Sequence, residues 1–337
     1  MPSLAVIAIG RNEGVRLRAC LAAALVETPW VVYVDSQSTD DSVATAESLG
    51  VHVIPLAMDV PFTAARARNA GLAATLERWP EVELIHFVDA DTELIDGWMP
   101  AAIAAIDRDP KRAAVCGRRR ERHPEQSIYN QLCDLEWNTP IGITKACGGD
   151  ALFRAAALRE VGGYNPGLIA GEEPELCVRL RRAGWTIERV NHDMTWHDAA
   201  MTRFGQWWKR NVRAGYAFAE GAELHGAPPE RHWMKENRSN LVWGLVLPVG
   251  CIVGAIFTKG LALLALPMLD GLMIAKIARY GQRGRGMPGR LAWRWAFFIV
   301  LGKFPQARGA MQFYINRLLR RRGTLIEYKS AGVPAAR

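Results

Sequence analysis

The sequence predicts an α/β fold on a mostly parallel central sheet with flanking helices, followed by an α-helical membrane region. Three observations predict it. Short apolar, partly β-branched runs alternate with helical patterns through the first 106 residues, as strands joined by crossover helices do. Polar, acidic clusters stand where such strands end, and open α/β sheets bind their ligands at those ends. Composition then changes after about residue 230, and residues 241–277 hold only three charges, Lys259, Asp270 and Lys276.

The elements follow in order. Residues 4–9 form a buried apolar strand closed by Gly10. Residues 16–25 have helical spacing, and 30–34 form a second strand ending in the polar run from Asp35 to Asp41. Residues 42–49 are a helix stopped by Gly50, 51–55 a third strand, and 64–76 an alanine-rich helix. Residues 84–88 form a strand running into Asp89-Ala90-Asp91, and 100–106 begin another helix. The middle is less regular. Arg118, Arg119, Arg120 and Arg122 read as a charge run. Gly171-Glu172-Glu173-Pro174-Glu175 leads into a helix over 177–183, capped by Gly184.

The chain of 337 residues is 50% apolar and 23% charged, which excludes a disordered chain. Its net charge of +8 is unevenly placed. From Arg279 onward, Lys and Arg far outnumber the single acid Glu327, so the body before it is mildly acidic. Beside so much apolar sequence, that basic stretch suits an anionic membrane face rather than nucleic acid. Cys20, Cys116, Cys133, Cys147, Cys177 and Cys251 show no metal-ligand spacing and read as buried apolar residues in a reducing compartment. The start lacks a signal peptide's charged and long apolar regions, so the N-terminal domain is expected in the cytoplasm.

Thr258-Lys259-Gly260 divides the apolar region into 241–257 and 261–277, each at the short end of the roughly 17–25 residues a span needs. Basic residues flank both outer ends, which predicts a membrane hairpin with both ends inside. The other readings are a re-entrant pair that never reaches the far side and a buried helical hairpin of a soluble domain. Aromatic and basic residues alternate over 293–319, as interfacial helices require. Residues 1–230 are therefore expected to be one domain and 231–337 the membrane hairpin with its basic interfacial helices.

Asp89-Ala90-Asp91 carries the first chemical signal. Two carboxylates two positions apart point the same way if extended and can share one divalent cation such as Mg²⁺ or Mn²⁺. Alone, such a pattern is most often a solvated turn. Its setting changes that. Gly10-Arg11-Asn12-Glu13 ends the first strand, Val34-Asp35-Ser36-Gln37-Ser38 the second, and Ala65-Arg66-Ala67-Arg68-Asn69 opens a helix. Gly148-Gly149-Asp150, then Gly171-Glu172-Glu173 and finally His197 complete the series. In this order the sequence resembles the family 2 inverting glycosyltransferases of GT-A fold, over roughly residues 3–215.

That resemblance implies the following roles. Asp35 matches the residue that binds the nucleotide base, and Glu13 and Arg68 sit where base or ribose is contacted. Asp89 matches the ribose or metal contact, Asp91 the direct metal ligand and His197 a late metal ligand; Asp150 belongs with the nucleotide-sugar-binding set. Glu173 stands at the position of the catalytic base, where the family commonly has Asp, with Glu172 and Glu175 competing for the role. Gln206, Trp207 and Arg210 are similar to the Gln-x-x-Arg-Trp acceptor-site signature of membrane-embedded polysaccharide synthases. Here the Arg comes one place late and no Trp follows it, so two tryptophans anchoring an interfacial helix is the other reading.

The implied enzyme is metal-dependent and moves a sugar from a nucleotide-diphosphate sugar to a lipid-linked or saccharide acceptor. It would act at the cytoplasmic face of the inner or plasma membrane, in cell-surface polysaccharide or glycolipid synthesis. The alternative is a non-catalytic relative that binds nucleotide sugar in an assembly complex; the intact diacid and Glu173 argue against it. A Rossmann dehydrogenase is excluded because no Gly-x-Gly-x-x-Gly follows a strand. A nucleotidyltransferase is disfavoured because Gly10-Arg11-Asn12-Glu13-Gly14 is too short and acidic to grip a triphosphate.

Overall fold

The computed structural model describes residues 2–57, 59–321 and 323–324. The chain divides after Arg203 into two compact units.

The first unit opens with β1 (Leu4–Gly10), α1 (Val15–Glu27), β2 (Val31–Asp35), α2 (Ser42–Ser48), β3 (His52–Pro55), α3 (Ala64–Arg78) and β4 (Leu84–Asp89). These four strands lie in the order β3-β2-β1-β4 and pair in parallel. All five residues of β2 are buried, as in a strand covered on both faces. The alternation of strand and helix is therefore as the sequence predicts, with end points shifted by a residue or two.

The unit continues with β5 (Thr92–Leu94), α4 (Trp98–Asp107), β6 (Arg112–Glu121), α5 (Ile128–Trp137), β7 (Gly142–Ile143), β8 (Ala151–Arg154), α6 (Ala155–Val161), α7 (Glu172–Arg182) and β9 (Thr186–His197). Here the sheet becomes mixed. β8 pairs antiparallel with both β4 and β6, β6 runs parallel to β9, and β5 pairs antiparallel with β9. Of the supposed charge run, Arg118, Arg119 and Arg120 lie on the second half of β6 and Arg122 just beyond it, and all four are paired with acids. Arg118 lies 2.9 Å from Asp134, Arg119 2.9 Å from Asp150, and Arg120 2.8 Å from Asp193. Polar strands whose charges meet partners inside the fold lose the apolar alternation that reveals a strand.

The second unit is helical: α8 (Phe204–His225), α9 (Met234–Leu241), α10 (Leu247–Phe257), α11 (Ala265–Arg285), α12 (Gly289–Leu301) and α13 (Lys303–Leu318). The expected boundary near residue 230 falls instead at 203/204, because α8 packs along α13 within this unit. A π-helical turn, Val242–Val246, joins α9 to α10, giving one continuous helix Met234–Phe257 of 24 residues. A 3₁₀ turn, Leu261–Leu264, extends α11 into Leu261–Arg285, 25 residues. Both are long and apolar enough to cross a membrane, and longer than the two segments expected from the sequence. Only 6% of each apolar window is buried within the chain, unlike a core helix. α12 is two-faced: Ala292, Ala296 and Val300 are buried while Trp293 and Phe297 are about half exposed. The last part of the basic stretch lies outside the described residues.

Candidate active site

The site residues of the first unit gather at the carboxyl ends of β1, β2 and β4. Gly10 makes this possible at the first strand. A Cβ there would stand 2.5 Å from the Cβ of Ala90, so only glycine lets β1 end directly against the turn after β4. The Ala90 amide donates to the Ile9 carbonyl at 2.9 Å and fixes that turn. Glu13, in the loop after β1, pairs with Arg16 at 2.6 Å, which also reaches Asp198 at 3.7 Å. Asp35 ends β2, buried, accepting from the Tyr33 hydroxyl at 3.0 Å and the Ser38 amide at 2.9 Å. Each carboxylate oxygen still has a lone pair for another donor.

Asp89-Ala90-Asp91 is a turn, not an extended segment: β4 ends at Asp89 and β5 starts at Thr92. The two carboxylates consequently meet different partners. Asp89 accepts from Arg68 at 2.8 Å and lies 3.5 Å from Arg119. Asp91 is buried and lies 3.4 Å from Nε2 of His197. His197 comes to this point because it is the last residue of β9, in register with Thr92 on one side and Glu121 on the other. Its ring packs edge-to-face on Trp137, and Nδ1 lies 3.9 Å from Glu121. Burial pushes the Glu121 carboxyl up to about 7, against the lowering effect of the amides of His123 and Ala199 that it accepts.

Arg68 is the centre of the charge arrangement. Its guanidinium, 2% exposed, is within 2.8 Å of Asp89, 2.8 Å of Glu172 and 3.0 Å of Glu173, and it lies over the Tyr164 ring. It faces carboxylates of its own chain rather than open space. The glutamates stand in the first turn of α7, where the helix dipole favours negative charge. Their surroundings separate them. Glu175 is 4% exposed and clamped by Arg179 at 2.8 Å; Glu172 is 5% exposed; Glu173 is 15% exposed. Burial, then Glu172 and Asp89, push Glu173 up to about 7, and Arg68 pulls the other way. Gly149 borders it: a Cβ there would lie 2.7 Å from Arg68 Nη2 and 3.0 Å from Glu173 Oε1.

Asp150 is fully buried and wholly engaged, with Arg119 at 2.9 Å, the Thr195 hydroxyl at 2.8 Å and the Asp89 amide at 3.1 Å. It orients Asp89 and Arg119 and presents no surface to a ligand. Gln206, Trp207 and Arg210 lie on α8 of the second unit. Trp207 is buried there, edge-on to Phe298 and beside Phe204.

A divalent cation is the group the resemblance implies. Two ligands at about 2.1 Å and a right angle stand about 3.0 Å apart. The buried Asp91 oxygen and His197 nitrogen, 3.4 Å apart, fit that pair with little adjustment. No cluster of three His, Cys, Asp or Glu collects among the described residues. That suits Mg²⁺ or Mn²⁺, which take one or two protein ligands and fill the rest with water and phosphate oxygen. Asp89, between two guanidinium groups, fits a cation less well than Asp91 does.

Arg119, Glu121 and Trp137 escaped the sequence reading. The one signal for the first two was the odd-numbered spacing Arg119, Glu121 on a strand, matching Thr195 and His197 on β9.

Residues 5–162 match the model of glycosyl transferase family 2. Pre-mycofactocin glycosyltransferases from two strains of Mycobacterium tuberculosis are 25% identical over 229 residues, covering 65% of this chain and 46% of theirs. The chain thus spans about half the length of the curated relatives it matches. A mannosyltransferase from Pyrobaculum calidifontis, solved in complex with GDP-mannose and Mn²⁺, superposes with a TM-score of 0.60 at 18% identity. The match covers 92% of this chain and 87% of that one, and establishes the GT-A-like fold.

Proposed function

We propose that the chain, whose residues 5–162 match the model of glycosyl transferase family 2, transfers a sugar from a nucleotide-diphosphate sugar to an acceptor hydroxyl with inversion. The observation that carries this is the convergence of Glu173, Arg68 and Asp89 on buried Gly149, whose lack of a side chain lets all three come within 3.1 Å of its Cβ position, together with the Asp91–His197 pair.

In this reading Asp35 and Glu13, at the ends of β2 and β1, hold the base and ribose, and the partly exposed Asp89 meets the ribose. A divalent cation held by Asp91 and His197 would neutralise charge on the diphosphate leaving group. Glu173 accepts the proton of the acceptor hydroxyl as its oxygen attacks the anomeric carbon and the diphosphate departs. A carboxyl poised near 7 suits that role at neutral pH. Glu175 is spent on Arg179, and of the two glutamates that share Arg68, Glu173 is the more exposed, 15% against 5%, which favours Glu173 of the three. Arg68 and Asp150 act as positioning residues, not as nucleotide contacts.

The two exposed apolar helices support a membrane-bound enzyme whose catalytic unit faces the cytoplasm and whose acceptor is a lipid-linked or membrane-delivered saccharide. At about 1.5 Å per residue they are about 36 Å long, and the uncharged stretch of the first, Leu241 to Phe257, is about 26 Å, the short end for a core of about 30 Å. Product analysis after incubating purified membranes with UDP-, GDP- and dTDP-sugars and Mn²⁺ or Mg²⁺ tests the activity. Glu173→Gln is expected to abolish transfer and retain nucleotide-sugar binding. Wild-type binding without transfer to any acceptor would favour the non-catalytic relative. Activity surviving in Glu173→Gln would reject Glu173 as the base.

A further inference from the structure

The second unit contains a pocket of about 630 Å³ that none of the roles above uses. One wall is a stripe of α8, Phe204, Trp208 and Val212, spaced by four residues and so on one helix face. The other is α13, through Arg308 and Gln312, and Lys209 stands beside the stripe. Apolar walls with two cations at the rim are chemically specific. Among the described residues neither Lys209 nor Arg308 is engaged by a hydrogen bond or an ion pair. Arg317, further along the same helix, is paired with Glu223.

The level of the pocket points to its occupant. A Cβ on Gly244 would lie 2.6 Å from the Cβ of Ala307, and one on Gly309 would lie 2.0 Å from the Val212 carbonyl. Arg308 sits between those two contacts, so the pocket is level with Gly244 in the helix Met234–Phe257. Gly244 is about 4.5 Å beyond Leu241, where the uncharged stretch begins. A bilayer whose acyl layer begins where the uncharged stretch does would bring the pocket just inside that boundary.

We propose that this pocket binds an anionic phospholipid, its phosphate against Lys209 and Arg308 and an acyl chain along Phe204, Trp208 and Val212. The site deepens the membrane reading given above and rests on it for its depth. Charge complementarity selects the headgroup, and the apolar stripe Phe204, Trp208 and Val212, with α13 packed against the helix Met234–Phe257 at Gly244, selects a lipid over a soluble anion. The two tryptophans of Gln206-Trp207-Trp208 thereby divide their work: Trp207 packs inside the unit and Trp208 lines the lipid site.

The full chain, reconstituted in phosphatidylcholine vesicles, provides the test. Bromine-labelled phosphatidylglycerol or phosphatidylcholine is titrated in, and quenching absent from Trp208→Phe is assigned to Trp208. A cation near an anionic headgroup favours it about five-fold, so the pair should give about thirty-fold selectivity for phosphatidylglycerol. Lys209→Gln with Arg308→Gln should abolish that selectivity while leaving quenching by phosphatidylcholine; both side chains are exposed, and retained helical signal confirms folding. Equal quenching by the two lipids, or selectivity surviving the double substitution, overturns the proposal. Loss of selectivity in millimolar inorganic phosphate overturns the lipid assignment in favour of a free-anion site. Alkaline washing of native membranes checks the underlying reading separately: release of the protein rejects the spans, whereas selective quenching reports only on the pocket.

Discussion

Replacing Arg68 by methionine removes one charge from beneath three carboxylates while roughly keeping volume. Asp89, Glu172 and Glu173 lie within 3.0 Å of the guanidinium, which is the cation the structure pairs with all three. Two unit charges 4 Å apart interact by about 4 kcal/mol at an effective dielectric of 20. Glu173 is partly exposed and solvent screens it, so about a third to two-thirds of that is retained. On that scale the Glu173 carboxyl moves from about 7 to about 8–9. The sign follows from the role. A general base works deprotonated, so raising its pKa moves the acid limb of the rate profile to higher pH. At pH 7 the deprotonated fraction falls from about a half to about 1–10%, a loss of roughly 5- to 50-fold in kcat/KM. Activity should return above about pH 9.5, which distinguishes titration from collapse of the site. Loss of the shared cation should also lower the unfolding free energy by about 3 kcal/mol, read as a drop in Tm. The assay is the pH profile of kcat/KM with a fixed nucleotide sugar, with Arg68→Lys as the charge-retaining control. A folded Arg68→Met enzyme with an unmoved acid limb would refute the coupling of Arg68 to the base.

Three further outcomes are expected. Asp91→Asn should reduce turnover at least about 100-fold, the scale of one lost transition-state contact, and wild type should lose activity in excess EDTA; a fully active variant would remove Asp91 from the metal site. Gly149→Ala should cut kcat roughly 10- to 100-fold with little change in nucleotide-sugar Kd, because the new Cβ stands 2.7 Å from Arg68 and 3.0 Å from Glu173 and forces both to shift; unchanged kcat would mean the reaction does not use that side of the cluster. A cysteine at Lys259, in the turn between the two apolar helices, should label with an impermeant maleimide from outside intact cells, and protection there would mean the pair does not cross.

What could be read from the residues divides at β4. Up to Val88, β1, β2 and β4 are buried and apolar but for His86 and the closing Asp35, so near-continuous apolar runs are visible in sequence, whereas the edge strand β3 is only half-buried. Asp89-Ala90-Asp91 was visible as a site but not as a turn, since extension and turning use the same residues. Its geometry depends on Gly10, eighty residues earlier in the chain, admitting Ala90 against β1. Beyond β4, β6 and β9 carry arginines, acids and a histidine inside the fold, and their pattern resembles a loop unless their partners are known. The pairing of Arg119 with Asp150, of Glu121 with His197, and of Arg68 with three acids from two elements are facts of tertiary register that spacing along the chain does not encode. The choice among Glu172, Glu173 and Glu175 shows the same limit at its smallest scale. All three occupy one helical turn and have one chemistry. They become different only when α7 docks, when Arg179 takes Glu175, Arg68 lies between Glu172 and Glu173, and Glu173 keeps the greater exposure, packed against Gly149. The residue type that such chemistry needs is thus a local property, whereas which copy of it reacts is decided by its neighbours' charges.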